Sequence, residues 1–77
     1  MIIGENIKTA RLELGMTMTE LSREAGIPYR TIQDYERCVI KKPSMVNVIA
    51  IAQALGVRVE ELTKPNGNEN KSTGEEI

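Results

Sequence analysis

The chain has 77 residues, ten Lys and Arg against eleven Asp and Glu, and a net charge of −1, so it holds one small domain without the strong basic excess typical of nucleic-acid-binding domains. It has no histidine and one cysteine, which excludes an internal disulfide and argues against a zinc site. No apolar run approaches the ~18 residues of a membrane-spanning helix, and the N-terminus lacks the pattern of a secretory signal. We therefore expect a cytoplasmic protein without membrane contact.

The first predicted helix covers residues 4–14 and ends at Gly15. Its buried face is predicted from a stripe at i, i+3, i+4 and i+7, formed by Ile7, Ala10, Arg11 and Leu14. Arg11 is the one charged member of this otherwise apolar stripe.

Two shorter helices, at 18–25 and 29–37, are predicted on either side of a tight turn at Gly26. Thr17 and Glu20 have the spacing of a capping box, in which each side chain binds a backbone N–H of the other residue. Gly26 stands where a left-handed residue ends a helix, and Pro28 stands where the next helix begins. Two helices joined in this way form the helix-turn-helix plan, in which the second helix enters the major groove of DNA.

A helical wheel of residues 29–37 separates an apolar side from a polar side. Ile32 and Tyr35 lie on the apolar side. The polar side carries side chains that donate and accept hydrogen bonds: Tyr29, Arg30, Gln33, Asp34 and Arg37.

A fourth helix is predicted from its N-cap, Ser44, to Leu55, with Gly56 as its stop. It is apolar almost all round, so we expect it to be the most buried helix. A short fifth helix is predicted at 59–62. Residues 65–77 have almost nothing to bury and are predicted to be a disordered polar tail after a domain at 1–64.

Residues 4 to about 63 resemble the Cro/CI-type helix-turn-helix family of phage and bacterial repressors, also called the XRE family. The matching residues are Gly4, Ile7, Lys8, Arg11, Gly15 to Thr17, Glu20, Leu21, Ala25 to Ile27, Thr31, Ile32, Tyr35, Glu36, Pro43, Ser44, Ala52 to Val57, Glu61 and Leu62. The resemblance implies an all-α, compact, five-helix lambda-repressor-like fold. It also implies a salt bridge between Arg11 and Glu36 that joins the first helix to the third.

The function that the resemblance implies is a sequence-specific double-stranded DNA-binding transcriptional regulator, expected to be a repressor of phage or mobile-element type. One helix reads few base pairs, so we expect a homodimer, at least on DNA, on a palindromic operator. Val57, Val59 and Leu62 are candidates for the dimer contact, although core packing explains them equally well. No cofactor and no small-molecule ligand are expected.

The candidate base contacts are Tyr29, Arg30, Gln33 and Asp34. Arg30 is suited to the O6 and N7 atoms of guanine, and Gln33 to adenine. Asp34 has a second interpretation, favoured here, in which it holds Arg30 or Arg37 one turn away. Tyr29 either contacts DNA or covers the helix turn.

The candidate contacts to the DNA backbone are Thr17, Met18, Arg23, Thr31, Arg37, Lys41 and Lys42. Met18 departs from the family pattern, in which glutamine is common, so its phosphate contact is expected to be weaker or to come from the backbone N–H alone. Arg23 is as well explained by a solvated helix face. Cys38 stands where relatives usually have glycine after the third helix, and a redox switch there is a minor alternative.

The sequence supports two other classes of function less well. A protein-interaction module, such as an antitoxin or a helix-turn-helix protein with little DNA affinity, agrees with the acidic balance and with Met18. An enzyme is not expected, because the chain has no histidine, no phosphate-binding glycine loop and no evident base beside its cysteine.

Overall fold

The computed structural model describes residues 3–40 and 42–64. These residues form five α-helices joined by turns and loops, and they contain no strand. The helices are α1 (Ile3–Glu13), α2 (Met18–Ala25), α3 (Tyr29–Glu36), α4 (Met45–Leu55) and α5 (Val59–Thr63). The all-α prediction is confirmed, and the helix ends agree with the predicted ones to within one residue. Lys41 and the predicted tail at 65–77 lie outside the described residues. Within the described ranges, no helix has both the length and the apolar character needed to cross a membrane.

One apolar core joins all five helices. α1 packs against α3 and α5, while α2 packs against α3 and α4. The largest fully buried side chains come from every helix: Ile7, Leu21, Ile32, Ile51 and Leu62. Each such side chain contributes about 1.5–3 kcal/mol when it leaves water. The core therefore fixes α2 and α3 against a support made of the other three helices.

The helix ends carry the predicted stop and start signals, with one correction. Gly26 and Gly56 are left-handed, with φ of 69° and 72°. At α2 the capping box is present: the Glu20 N–H donates to Thr17 Oγ1 over 3.0 Å, and the Thr17 N–H donates to Glu20 Oε1 over 2.8 Å. Ser44 occupies the N-cap position of α4, but its hydroxyl makes no capping hydrogen bond, so that part of the prediction is wrong.

One burial prediction is wrong, and the burial of α4 is uneven. Leu14 remains 56% exposed, because α1 ends at Glu13 and the chain turns away before the next helical position. α4 is not buried all round, since only one side packs on the core. Its outer side exposes 59% of Met45, 75% of Val46 and 41% of Ile49.

Of the residues offered for a dimer contact, Leu62 belongs to the core and the two valines pack against it. Leu62 is only 1% exposed, and Val57 and Val59 are half-buried against the core. Packing within one chain therefore explains all three.

The end of α5 is tied to α1 by one side chain. The amide of Asn6 donates to the carbonyl of Leu62 over 2.7 Å and to that of Lys64 over 2.8 Å. Carbonyls at the end of a helix have no partner within the helix, and Asn6 supplies one for each of these two. These two hydrogen bonds fix the end of α5 on the side of α1 that faces away from α3.

The turn after α3 contains a left-handed cysteine. Cys38 has φ of 61°, and its N–H donates to the carbonyl of Tyr35 over 3.0 Å. This conformation costs an L-residue with a Cβ roughly 1–2 kcal/mol. The backbone at Cys38 thus has the left-handed conformation that suits the glycine found at this position in the family that the sequence resembles.

Cys38→Gly is expected to leave the free energy of unfolding unchanged or to raise it by up to about 1 kcal/mol. The relief of strain exceeds the roughly 0.5–1 kcal/mol that the added freedom of glycine removes. Urea denaturation of the two proteins measures the difference. The control is Gly26→Ala, where nothing lies within 4 Å of an added Cβ, so that its loss reports strain alone. A marked loss for Cys38→Gly would show that the contacts of the thiol outweigh the strain.

Candidate nucleic-acid interface

The α2–α3 unit is closed by the turn at Gly26. The N–H of Ile27 donates to the carbonyl of Ser22 over 3.0 Å, and the Ile27 side chain is 6% exposed. The polypeptide thus leaves α2 through a satisfied turn and is anchored in the core before α3 begins. The start of α2 and the outer side of α3 stay exposed next to each other.

The two sides of α3 are those that the helical wheel predicts. Ile32 and Tyr35 are 0% and 2% exposed, and the Tyr35 hydroxyl accepts a 3.1 Å hydrogen bond from the amide of Asn47 on α4. The opposite side, here called the outer face of α3, carries Tyr29, Arg30, Gln33, Asp34 and Arg37. Because Ile32 and Tyr35 hold the inner side of α3 in the core, the outer face keeps a fixed orientation relative to the rest of the domain.

Arg30 lies at the exposed end of the outer face. Its Nε is 3.4 Å from Asp34 Oδ1, and its side chain is 77% exposed against 25% for that of Asp34. An exposed pair of this length contributes little to stability. The pair is the one that the favoured interpretation of Asp34 expects, and most of the Arg30 side chain remains exposed.

Tyr29 lies against the end of α1 and the start of α2. It lines a shallow recess with Leu12, Met16 and Met18, and 44% of its surface stays exposed. Its side chain therefore covers the turn between the two helices while its outer edge borders the outer face. Contact with a base stays a prediction for all four candidates: Tyr29, Arg30, Gln33 and Asp34.

The candidate contacts to the DNA backbone are divided between two regions. Thr17 and Met18 at the start of α2, Thr31 on α3 and Arg37 directly after α3 border the outer face, and Lys42 is exposed in the following loop. Arg23 lines a recess with Glu20 and Glu24 on α2, and its contact with the DNA backbone stays a prediction. Lys41 lies outside the described residues.

Beneath the outer face lies the ion pair that the resemblance implies. Arg11 Nε donates to Glu36 Oε2 over 2.7 Å and Arg11 Nη2 to Glu36 Oε1 over 2.9 Å, so both carboxylate oxygens are engaged. Arg11 Nη1 donates to the carbonyl of Met16 over 2.8 Å. The hydrogen-bonded carboxylate of Glu36 raises the pKa of Arg11 above its ordinary value, which keeps the guanidinium charged.

One residue at this interface was missed by sequence reasoning. Lys8 of α1 lines the same recess as Gln33 and Arg37 of α3. Its position follows from the ion pair: Lys8 precedes Arg11 by three residues, hence by about one turn, and Arg37 follows Glu36. Spacing within α1 was therefore a usable signal once the Arg11–Glu36 pair was expected.

Comparisons with known proteins agree with this geometry. A family model described as helix-turn-helix matches residues 7–62. The chain is 31% identical over 64 residues to a Sinorhizobium fredii protein named uncharacterized HTH-type transcriptional regulator y4dJ, covering 83% of this chain and 82% of that one.

Two solved structures share the fold. One, titled SinR protein/SinI protein complex, has a TM-score of 0.83 at 29% identity over 90% of this chain, which spans 66% of that chain. The other, a hypothetical transcription factor NHTF from Neisseria, has a TM-score of 0.81 at 25% identity, covering 92% of this chain and 80% of that one.

Proposed function

The chain belongs to the helix-turn-helix family of DNA-binding transcription regulators, and on that premise we propose that it is a sequence-specific repressor that places α3 in the major groove. The observation that carries the proposal is the fixed outer face of α3. Ile32 and Tyr35 anchor the helix in the core, so its polar side chains are presented as one rigid row. Rigid placement lets side chains match the donor and acceptor pattern of base edges.

The charges around this face also support DNA as the partner. Lys8, Arg30, Arg37 and Lys42 are exposed and come from α1, α3 and the loop after α3. The net charge of −1 for the whole chain therefore coexists with a local set of cations. Local charge decides attraction to phosphates at short range, because salt screens more distant charges.

The protein would act in the cytoplasm, as a repressor of phage or mobile-element type. Repression would follow because the bound protein occupies a promoter and blocks access of the polymerase. In the bound protein, Arg30 contacts a guanine and Gln33 an adenine. Thr17, the Met18 N–H, Thr31, Arg37 and Lys42 contact phosphates on either side. These contacts read only a few base pairs, so two copies on a palindrome supply the specificity.

The second copy would contact the outer side of α4, because the apolar residues first offered for this contact belong to the core or pack against it. Met45, Val46 and Ile49 are exposed and apolar, so two copies of this surface can pack on each other across a two-fold axis and remove apolar area from water. Three side chains expose far less than the about 800 Å² per partner that a stable interface buries. We therefore expect the homodimer to form on DNA.

A second candidate is a protein-interaction module with little DNA affinity. Two observations favour it: the acidic balance of the chain, and the similarity to a SinR chain whose structure is a complex with SinI protein. In this alternative the outer side of α4 would bind a protein partner.

Selection from a randomised duplex pool, followed by sequencing and titration of the enriched site, tests the proposal. Arg30→Ala is expected to relax the preference at one base pair in each half-site. It should weaken binding to the selected site by about 5- to 150-fold, the range of one bidentate arginine–guanine contact. The matched control is Arg58→Ala, which removes an exposed arginine next to α5 and should leave both results unchanged.

Enrichment of a palindrome by the wild-type protein would support both sequence reading and the dimer. If Arg30→Ala weakens binding by the same factor for every sequence, Arg30 contacts the DNA backbone and not a base. No binding to any duplex, even at low salt, would contradict the proposed function and favour the protein-interaction module.

A further inference from the structure

A recess of about 200 Å³ lies between α1 and α3 and opens beside the outer face of α3. It is lined by Lys8, Arg11, Met18, Gln33, Glu36 and Arg37, and is called here the α1–α3 recess. Its volume is several times the ~30 Å³ that a water molecule occupies in the liquid, so it has room for a small polar group.

The charges in the α1–α3 recess are unbalanced. Three of its lining residues are cations, and Glu36 is the one carboxylate among them. Both oxygens of that carboxylate already accept hydrogen bonds from Arg11, at 2.7 and 2.9 Å. Lys8 and Arg37 therefore share the recess without a carboxylate of their own there. The like charges of Lys8 and Arg37 on one recess repel each other, and an anion bound between them offsets this repulsion.

The position of the recess indicates which anion it receives. Arg37 and Gln33 belong to the outer face of α3, and Met18 to the first turn of α2, so the recess lies at the border of the surface that meets DNA. A helix in the major groove has a phosphate backbone along each side. An anion at the border of α3 is therefore a phosphodiester of one DNA strand.

We propose that Lys8 and Arg37 together bind one backbone phosphate in the α1–α3 recess, so that α1 takes part in docking on DNA. Gln33 lines the same recess and can donate its amide to this phosphate. That would make Gln33 a bridge between the backbone and the bases. The inference rests on the proposed function, and it adds a contact from a helix outside the helix-turn-helix unit.

The test measures duplex affinity at several salt concentrations for wild type, Lys8→Gln and Lys64→Gln. Loss of one phosphate contact makes the plot of log affinity against log salt less steep by about 0.9. Lys8→Gln, which leaves Arg37 on the phosphate, is expected to make the plot measurably less steep, by up to this amount. The affinity should fall by the same factor on the selected site and on unrelated duplex. Lys64→Gln removes the same charge from a lysine paired with Glu61 at 3.0 Å on the α5 side of α1, so its slope should not change.

Two further variants make the test specific. Lys8→Arg retains the charge and should retain the wild-type slope. In a double-mutant cycle, the effects of Lys8→Gln and Arg37→Gln on affinity should not add, because both side chains contact one phosphate.

An unchanged slope in Lys8→Gln, with duplex still bound tightly by wild type, would overturn this inference and leave the proposed function standing. Additive effects of the two substitutions would overturn the shared phosphate. A wild-type protein that binds no duplex at low salt would overturn the proposed function, and this inference with it.

Discussion

Arg11→Ala is expected to lower the free energy of unfolding by about 3–5 kcal/mol, because it leaves the Glu36 carboxylate buried without its partner. The side chains of Arg11 and Glu36 are only 10% and 6% exposed. The same substitution removes the 2.8 Å bond to the carbonyl of Met16, which holds the turn between α1 and α2. Small domains have only about 5–15 kcal/mol of stability in total, so the effect should be evident in urea denaturation.

Arg37→Ala is the matched control for this prediction. Arg37 is exposed, so its removal should change stability by no more than about 0.5 kcal/mol. Replacing both members of the pair, by Arg11→Met with Glu36→Leu, should destabilise less than Arg11→Ala, since no buried charge is left alone. Equal unfolding curves for Arg11→Ala and Arg37→Ala would contradict a buried pair that joins α1 to α3.

The part of the fold that sequence predicted well is the part controlled by local chemistry. Thr17 and Glu20 cap α2 through bonds three residues apart, and Gly26 ends it through a backbone conformation that glycine adopts without strain. Such signals need no knowledge of the rest of the chain. The division of α3 into two sides followed in the same way, because Ile32 and Tyr35 are three residues apart on one side.

Prediction was weaker wherever burial depends on which elements meet. Residues 45–55 are apolar almost all round, so their pattern gives little indication of which side faces the core. The structure buries Val48, Ile51 and Leu55 and exposes Met45 and Val46. Leu14 continued the periodic stripe of α1, but the helix ends before it.

The candidate site shows the same limit. The outer face of α3 could be predicted, because its members lie within one helix. Lys8 reaches that face only through the packing of α1 on α3, which brings together residues that are far apart in the chain. The Arg11–Glu36 pair that the resemblance implies already predicts that α1 packs on α3. Lys8 lies about one helical turn before Arg11, so its position near α3 follows from that pair.

Gly4→Ala is expected to lower the free energy of unfolding by about 1–3 kcal/mol or more, because α1 and α3 approach each other too closely for a side chain at this position. A Cβ at Gly4 would overlap the carbonyl oxygen of Tyr35 and lie 3.2 Å from the Sγ of Cys38. The oxygen belongs to the backbone of α3, so relief requires the two helices to move apart. Alanine favours helix over glycine by about 1 kcal/mol, so the measured loss understates the clash.

Thr9→Ala is the control, since Thr9 is exposed on the same helix and should change stability little. Urea denaturation gives the stability of each variant, and duplex binding below the unfolding transition gives the functional consequence. Moving α1 away from α3 also moves Lys8 away from Arg37, so folded Gly4→Ala should show a less steep salt dependence, as Lys8→Gln does. A Gly4→Ala protein as stable as wild type would contradict the close approach of the two helices. If the variant is destabilised but keeps the wild-type salt dependence, the close packing of α1 on α3 matters for stability and not for binding DNA.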